Sequence, residues 1–308
     1  MSFVTGVGTI NCDLLYSGLT GIPNEGEEVF SKAFAVQLGG GLPAIMVNLA
    51  RLGLPVQFCT FLGTDMFSAS MQDILEDKKI RFKNLYHGSG IPICVTAVAI
   101  TRADRTFLSY QGEICLKDGD IEEIYAYSKG AKIVKMYYEE GNRELLRLYA
   151  KLKQEGAILT MDTGWEEDLS LQKYHEYLQL ADFYTPNEKE AKKITGTDSV
   201  EAAAERLAEY FDEVIIKLGK DGCFYQNREG RKCFAPMQGI RAVDATGAGD
   251  AFLAGFMYGL YYGYSTEDCI RLGNVTGGYC VQAVGCLSSF PTEEELLEQA
   301  GVNLYVPD

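Results

Sequence analysis

The chain has 308 residues, of which 28 are basic and 43 acidic, giving a formal net charge of −15. This negative field repels phosphate backbones and anionic lipids, so we expect neither nucleic acid nor a membrane as a partner. A hydrophobic fraction of 47% supports a sizeable core, and the length suits one large α/β domain over 1–308.

The cysteine and histidine content bears on compartment and metal chemistry. Nine cysteines without a C-x-x-C spacing indicate reduced, mostly buried thiols in a cytoplasmic protein. Only two histidines are present, which argues against a zinc site of His/Cys type. No apolar run reaches membrane-spanning length, and no leader pattern of a basic flank and an apolar core is seen.

The N-terminal third is predicted to mix strands, helices and turns. A buried strand is predicted at 3–10, and a Gly-, Pro- and Asn-rich stretch with short apolar runs follows at 14–38. The pattern then predicts helix 43–52, strand 55–61, helix 66–77, strand 91–100 and strand 106–110. We expect 14–38 and 91–112 to form one small β-sheet, which interrupts the main fold twice.

After residue 119, short apolar runs alternate with amphipathic segments. The predicted strands are 131–136, 157–161, 181–184, 213–218 and 222–226. The predicted helices are 142–154, 168–178, 187–194, 199–210 and two buried helices between 247 and 285. This alternation predicts a doubly wound, mostly parallel sheet with helices on both faces. Ligands of such sheets bind beyond the carboxyl ends of the strands, so we expect 8–13, Asn187 and 244–250 at one crevice.

The most informative motif is D-A-T-G-A-G-D at 244–250, which opens an apolar helix. The unpaired backbone N–H groups of Gly247, Ala248 and Gly249 at such a helix start favour an anion, and the small residues let a phosphate approach closely. A carboxylate there would repel phosphate, unless Asp250 takes a proton from a hydroxyl that then attacks the phosphorus. The alternative is that Asp250 is a favourable first-turn residue and the glycines are ordinary turn residues.

This motif closely resembles the signature of the ribokinase-like (PfkB-type) carbohydrate kinases, and further segments match in order over about 4–300. The resemblance implies a ribokinase-like fold with a small β-sheet lid at 14–38 and 91–112. It implies ATP- and Mg²⁺-dependent phosphorylation of a hydroxymethyl group on a small carbohydrate of the ribose, fructose or keto-deoxy sugar type. Asp250 would be the general base, and the backbone of 247–249 would stabilise the transferred phosphoryl group.

The substrate motifs of the family are matched in the N-terminal third. The segment 6–11 half-matches a dinucleotide fingerprint, but no helix start follows it, so the family pattern G-x-x-N-x-D fits better. The resemblance implies that the sugar is held by Asn11, Asp13, Gly39 and Gly40. The alternative for Asp13 is a loop-capping carboxylate. The family usually has Asn where this chain has Ala44, so one usual contact to a substrate hydroxyl is absent.

The nucleotide side is matched by T-P-N-E-K-E-A at 185–191 and I-K-L-G-K-D-G at 216–222. The residues alone predict that Asn187 caps a helix with Glu190 one turn in, which is also an ordinary capping box. The resemblance implies that this pair organises Mg²⁺, phosphate and water, with Glu190 at the metal. It places further residues beside ATP: Lys217, Gly219, Gly222 and Asn274.

Two implied features concern cations and assembly. Relatives often carry Thr or Ser at the position of Lys217. The lysine of this chain either adds a positive charge near the ATP phosphates or extends to solvent. In many relatives, backbone oxygens around 244 and in 285–291 bind a monovalent cation such as K⁺. The lid often pairs with a second subunit, which implies a homodimer.

Two other functions are open at this point. A nucleoside kinase of the same family would suit the missing amide at Ala44 and the aromatic residues Tyr137, Tyr138 and Trp165, although packing explains those aromatics better. A sugar-binding protein without catalysis would have no need of an intact Asp250. No G-x-x-x-x-G-K-[ST] sequence occurs, which excludes a P-loop kinase.

Overall fold

A computed structural model describes residues 2–102, 104–117 and 119–304. Its strands are β1 (Val4–Gly6), β2 (Asn11–Ser17), β3 (Ala33–Gly39), β4 (Gln57–Thr60), β5 (Arg81–Asn84), β6 (Cys94–Ile100), β7 (Arg105–Tyr110), β8 (Ile133–Lys135), β9 (Ile158–Met161), β10 (Phe183–Tyr184), β11 (Val214–Lys217), β12 (Cys223–Asn227) and β13 (Gly230–Phe234). Its α-helices are α1 (Gly41–Arg51), α2 (Met66–Asp77), α3 (Asp120–Ser128), α4 (Arg143–Gln154), α5 (Leu171–Leu180), α6 (Glu188–Thr195), α7 (Val200–Leu207), α8 (Ala248–Tyr262), α9 (Thr266–Cys280) and α10 (Glu293–Ala300).

The main sheet has a parallel centre in the order β1-β8-β9-β10. Parallel bridges extend it on both sides: Val4 to Val56 and Val7 to Cys59 join β1 to the β4 segment, and Asn187 to Lys217 joins the end of β10 to β11. Beyond these, β4 and β5 are parallel, whereas β11, β12 and β13 are antiparallel. The predicted doubly wound, mostly parallel sheet is confirmed.

Helices cover both faces of this sheet. Neighbouring residues of β8 show this, because Ile133 packs in the core formed with α1, α8 and α9, and Val134 packs in the core formed with α4, α5 and α7. Successive side chains of a strand point to opposite faces, so both cores are built from the same short strands. None of the helices in the described ranges is long and apolar enough to cross a membrane.

Close contact between α8 and α9 depends on glycine. A Cβ atom on Gly255 would lie 2.4 Å from Thr276 Oγ1 and 2.6 Å from the Leu272 carbonyl oxygen. Glycine therefore lets the two helix backbones approach, although it lowers helix propensity. The packed pair fixes the start of α8, which lies at the edge of the sheet.

The second sheet has four strands in the order β3-β2-β6-β7. Its β2 and β6 strands are parallel, and β3 and β7 flank them antiparallel. The small sheet expected from 14–38 and 91–112 is therefore present. The prediction of one strand over 3–10 is wrong in its extent, because β1 ends at Gly6 and β2, in the other sheet, already begins at Asn11.

Four elements were not predicted from the sequence pattern: α3, β5, β13 and α10. The β5 strand reads R-F-K-N and β13 reads G-R-K-C-F, both at sheet edges where polar side chains face solvent. Such strands lack the apolar alternation that identifies half-buried strands. All nine cysteines are free, and six of them are buried.

Candidate active site

A cleft of about 1170 Å³ opens at the carboxyl ends of β1, β8 and β9, beside the start of α8. Its walls bring together residues from distant parts of the chain. The polar and glycine residues among them include Gly8, Lys135, Asp162, Asn187, Glu190, Lys217, Gly219, Gly222, Gly247, Gly249, Asp250 and Asn274. This is the position at which parallel α/β sheets bind ligands.

The glycine turn, residues 244–250, ends at the uncapped start of α8. Gly247 is the N-cap residue with φ +75°, and no side chain caps the helix. A Cβ atom on Gly247 would lie 2.2 Å from the Cβ of Cys286, so a larger residue does not fit. Free N–H groups at a helix start attract anions, and Gly247, Ala248 and Gly249 all line the cleft. Of the three, the Ala248 N–H already donates to the Ala245 carbonyl oxygen at 3.2 Å.

Asp250 lies in the first turn of α8 and also lines the cleft. Removal from bulk water, together with the neighbouring Asp162, raises the pKa of Asp250 to about 6, although Lys217 and Lys135 oppose the rise. A carboxylate with this pKa is ionised at neutral pH and is a better proton acceptor than an ordinary aspartate.

Two lysines balance the carboxylates of the cleft. Lys135 Nζ lies 2.5 Å from Asp162 Oδ1. Lys217 Nζ would be 3.1 Å from a Cβ on Gly249, which places its ammonium at the glycine turn. Burial alone would raise the pKa of Asp162, but Lys135 and Lys217 hold it below its ordinary value.

The sequence analysis missed the Lys135–Asp162 pair. Lys135 is the last residue of β8, and Asp162 directly follows β9. The signal was available, because the carboxyl ends of neighbouring parallel strands meet at one edge of a sheet. Polar residues at the ends of two consecutive predicted strands are therefore candidates for a site at that edge of the sheet.

Asn187 and Glu190 form a capping box at the start of α6. The Asn187 N–H donates to Glu190 Oε2 at 2.8 Å, and the Glu190 N–H donates to Asn187 Oδ1 at 3.0 Å. Both residues also line the cleft, and burial raises the pKa of Glu190. The capping hydrogen bond from the Asn187 N–H is made to Oε2 and not to Oε1. The capping role thus leaves one carboxylate oxygen for another ligand.

The predicted sugar-binding residues lie next to the cleft rather than in its wall. Asn11 pairs with Gly39 across β2 and β3. A Cβ on Gly39 would lie 2.3 Å from Asp13 Oδ2, so the glycine makes room for this carboxylate, whose pKa burial raises to about 6. Gly40, with φ +96°, is the N-cap of α1.

The first residue of α1 connects the two groups. A Cβ on Gly41 would lie 3.0 Å from Asp250 Oδ1, so Asp250 reaches the helix start that follows Gly40. Asn11, Asp13, Gly39 and Gly40 thus lie in the two segments that adjoin this helix start.

The remaining predicted nucleotide residues form the far wall of the cleft. Gly219 and Gly222 flank a short 3₁₀ turn after β11, and a Cβ on Gly222 would lie 2.0 Å from the Phe234 carbonyl oxygen. Asn274 Nδ2 donates to the Ala235 carbonyl oxygen at 3.0 Å. Asn274 therefore holds the segment after β13 in place, and its expected contact with a nucleotide stays a prediction.

The aromatic residues divide into two groups. Tyr137 and Tyr138 line the cleft together with Tyr174, and the rings of Tyr138 and Tyr174 are 4.1 Å apart at their centroids. Tyr149 packs beneath them and donates its hydroxyl to the Tyr137 carbonyl oxygen. Trp165 is 60% exposed and does not line the cleft.

Comparison with known proteins identifies the family. The chain matches the pfkB family carbohydrate kinase model over residues 2–293. A ribokinase of Lactococcus lactis subsp. lactis is 27% identical over 315 residues, covering 99% of this chain and 100% of that protein. The chain belongs to the pfkB family of carbohydrate kinases.

Solved structures agree on the fold. The Arabidopsis thaliana ribokinase complexed with ribose and ATP has a TM-score of 0.79 at 23% identity and covers 98% of this chain and 100% of that one. The nucleoside kinase of Methanocaldococcus jannaschii has a TM-score of 0.78 at 19% identity, with 98% of each chain covered. The protein is a phosphotransferase that acts on an alcohol group, with a ribokinase-like fold.

Proposed function

We propose that the protein transfers the γ-phosphoryl group of ATP to a hydroxymethyl group of a small sugar. The observation that supports this most directly is the position of Asp250, at an uncapped helix start and 3.0 Å from the Cβ position of Gly41. Phosphate is favoured at this helix start, and the residues we assign to the sugar lie in the segments that adjoin Gly41.

In this proposal, Asp250 accepts the proton of the substrate hydroxyl as the hydroxyl oxygen attacks the γ-phosphorus. The bond from that phosphorus to the bridging oxygen breaks, and ADP leaves with its electrons. The N–H groups of 247–249 and the ammonium of Lys217 stabilise the charge that develops on the phosphoryl oxygens. This local positive charge is needed because the protein as a whole carries −15.

The residues present fit a magnesium ion at the nucleotide. Glu190 lines the same cleft as Lys217, and its capping hydrogen bond is made through Oε2. Carboxylate oxygens are suitable ligands of Mg²⁺, directly or through its waters. When bound, the ion would neutralise the phosphate oxygens of ATP. The described residues contain no cluster of three or more His, Cys, Asp and Glu side chains arranged for a metal.

A nucleoside is the second candidate substrate. The absence of an amide at Ala44 favours it, since one usual contact to a sugar hydroxyl is missing. Tyr137, Tyr138 and Tyr174 line the cleft assigned here to ATP, so they do not bear on the acceptor. The tyrosines also pack on each other, so the sugar remains our first choice.

The exposed face of the small sheet supports a homodimer. Phe34 is 56% and Leu108 77% exposed, and Tyr16 and Tyr110 are exposed on the same face of the sheet. We propose that a second copy of the chain covers this face, so that the sheet acts as a lid over the sugar. Light scattering on the protein and on Leu108→Asp would test the dimer: the variant should be monomeric.

Measuring ADP release over a substrate panel tests the proposed function. Pentoses, hexoses, keto-deoxy acids and nucleosides would be assayed with MgATP, and Asp250→Asn is the matched control. We expect the protein to release ADP with one of these substrate classes, and we expect the Asp250→Asn control to release none. If a ligand binds tightly but no ADP forms with any of them, the protein is a sugar-binding protein and the proposal is wrong.

A further inference from the structure

A lid residue contacts the glycine turn. Arg105 is the first residue of β7 in the small sheet, and its guanidinium forms an ion pair with the carboxylate of Asp244. The same nitrogen donates to Thr246 Oγ1 at 2.5 Å. Arg105 thus reaches from the small sheet to both ends of the segment 244–246.

The Asp244 carboxylate accepts hydrogen bonds from protein donors at both of its oxygens. Oδ1 accepts the Thr246 N–H at 2.7 Å in addition to Arg105, and Oδ2 accepts the Gly285 N–H at 2.9 Å. Its side chain is only 6% exposed, whereas that of Arg105 is 25% exposed. A buried carboxylate is costly unless it is paired and hydrogen-bonded, and here both conditions are met by the protein itself.

Three carbonyl oxygens of the neighbouring 281–288 loop also accept hydrogen bonds. The Val281 carbonyl oxygen accepts two N–H groups, those of Val243 and Asp244. The Val284 carbonyl oxygen accepts the Ser288 hydroxyl at 2.6 Å, and the Leu287 carbonyl oxygen accepts Arg51 at 2.8 Å. A second arginine, at the end of α1, therefore holds the loop from its other side.

These hydrogen-bonded oxygen atoms do not fit the ligand set of a monovalent cation. A potassium ion needs several oxygen atoms free to replace its hydration shell. Around Asp244 the carboxylate and these loop carbonyls already accept hydrogen bonds, and the positive charge is already supplied by Arg105.

We propose that Arg105 supplies at Asp244 the positive charge that many relatives obtain from a monovalent cation. The glycine turn of this kinase is then ordered without potassium, and its order depends on the small sheet being seated. The inference rests on the proposed phosphate-binding role of the turn. Arginine suits this task because it stays charged and its fork donates several hydrogen bonds at once.

The test compares the full-length protein in KCl and in choline chloride at equal ionic strength. Three variants are needed: Arg105→Ala, Arg105→Lys, and Arg102→Ala as a control that removes an exposed arginine from the same hairpin. The readouts are the MgATP Kd by calorimetry and the Tm without nucleotide. Tm reports on cation binding even if the protein binds no ATP.

For the wild-type protein we expect the same Kd and Tm in both salts. Arg105→Ala should bind MgATP about tenfold more weakly in choline chloride, the scale of one lost charged hydrogen bond, and should recover in KCl. Its Tm should likewise rise in KCl only. Arg105→Lys should retain most of the affinity in both salts, and Arg102→Ala should match the wild type.

Three results would overturn the inference. One is a wild-type protein whose Kd or Tm improves markedly in KCl over choline chloride. Another is an Arg105→Ala variant that behaves like Arg102→Ala. The third is an Arg105→Ala variant that is impaired and gains neither affinity nor Tm from KCl. If the wild type binds no MgATP in either salt, the proposed function fails separately, and the Tm data still decide the role of Arg105.

Discussion

The two sides of Asp250 differ in how they are built. On the proposed phosphate side, the glycine turn, Lys217 and the capping box of α6 line the cleft, and Lys135 pairs with Asp162. On the sugar side, Asp13 and Gly39 belong to a four-stranded sheet whose other face exposes large apolar residues. The proposed phosphate side carries the glycine-turn motif intact, whereas the proposed sugar side lacks the usual amide at Ala44.

We expect the residues of one side to carry out the reaction and those of the other to select the substrate. The reaction needs an anion site, a base and cations in fixed geometry, so its residues tolerate little change. Substrate choice depends on a few hydrogen bonds to hydroxyl groups, so one amide can be lost without losing the chemistry. Substitutions on the two sides should therefore have effects of different size and kind.

The largest effect is expected at Asp250. We expect Asp250→Asn to lower kcat by about 10²–10⁴-fold with little change in MgATP affinity, because only proton acceptance is removed. Measuring kcat and the MgATP Kd on both proteins checks this. A variant with near-normal kcat would contradict the role of Asp250 as base.

The same substitution has a stability readout. The pKa of Asp250 in the folded protein, about 6, lies above the ordinary value, so its ionisation costs stability. That cost is fully present above pH 6 and disappears as the pH falls below the ordinary pKa. Asp250→Asn should therefore raise Tm at pH 8 and leave it nearly unchanged at pH 4. An equal shift at both pH values would exclude this electrostatic origin.

The next effect is on pH dependence, and it distinguishes the two sides. Burial raises the pKa of both Asp250 and Asp13 to about 6. Activity requires the ionised base, so kcat should fall about tenfold per pH unit below 6. If ionised Asp13 is also needed to bind the sugar, kcat/KM should fall more steeply than kcat. Asp13→Asn should keep the fall of kcat below pH 6, but its kcat/KM should then fall no more steeply than its kcat. A kcat that stays constant down to pH 5 would contradict the prediction.

A moderate effect is expected at Glu190. Because Gln still accepts the Asn187 N–H, Glu190→Gln preserves the capping box and removes only the charge. We expect the magnesium concentration for half-maximal rate to rise several-fold, on the order of one weakened charged contact, with sugar KM and Tm nearly unchanged. If magnesium dependence is unaltered and only Tm falls, Glu190 acts as a cap alone.

The smallest effect is expected on the sugar side. Ala44→Asn restores the usual amide on α1, where Ala44 is 1% exposed. One hydrogen bond to a substrate hydroxyl is worth about 0.5–1.5 kcal/mol, so kcat/KM should change several-fold, upward for ribose or fructose or downward for the true substrate. Measuring kcat/KM for ribose, fructose and adenosine on both proteins checks this. Unchanged ratios, with efficient ribose turnover by the parent, would show that Ala44 does not set specificity.

A control for folding accompanies this last prediction, because an added side chain can overpack a buried site. Ala50→Asn, on the same helix but half-buried, introduces the same group six positions later. If both variants lose activity and Tm in parallel, the effect of Ala44→Asn is steric rather than a matter of substrate contacts.

The sequence by itself determined the features that are local along the chain. The alternation of strands and helices gave the doubly wound sheet, because apolar periodicity reflects which face of an element is buried. The capping box of Asn187 and Glu190 and the glycine turn before Asp250 lie within a few consecutive residues. Their geometry follows from local backbone rules, so their residue types alone predicted it.

Tertiary structure alone decided the contacts between distant segments. The Lys135–Asp162 pair forms because β8 and β9 are adjacent and parallel, which no local pattern specifies. Arg105 and Thr246 are 141 positions apart and meet only because the small sheet folds back over the start of α8. Charged side chains look alike in a sequence whether they face solvent or a buried partner, since their role depends on what the fold brings next to them.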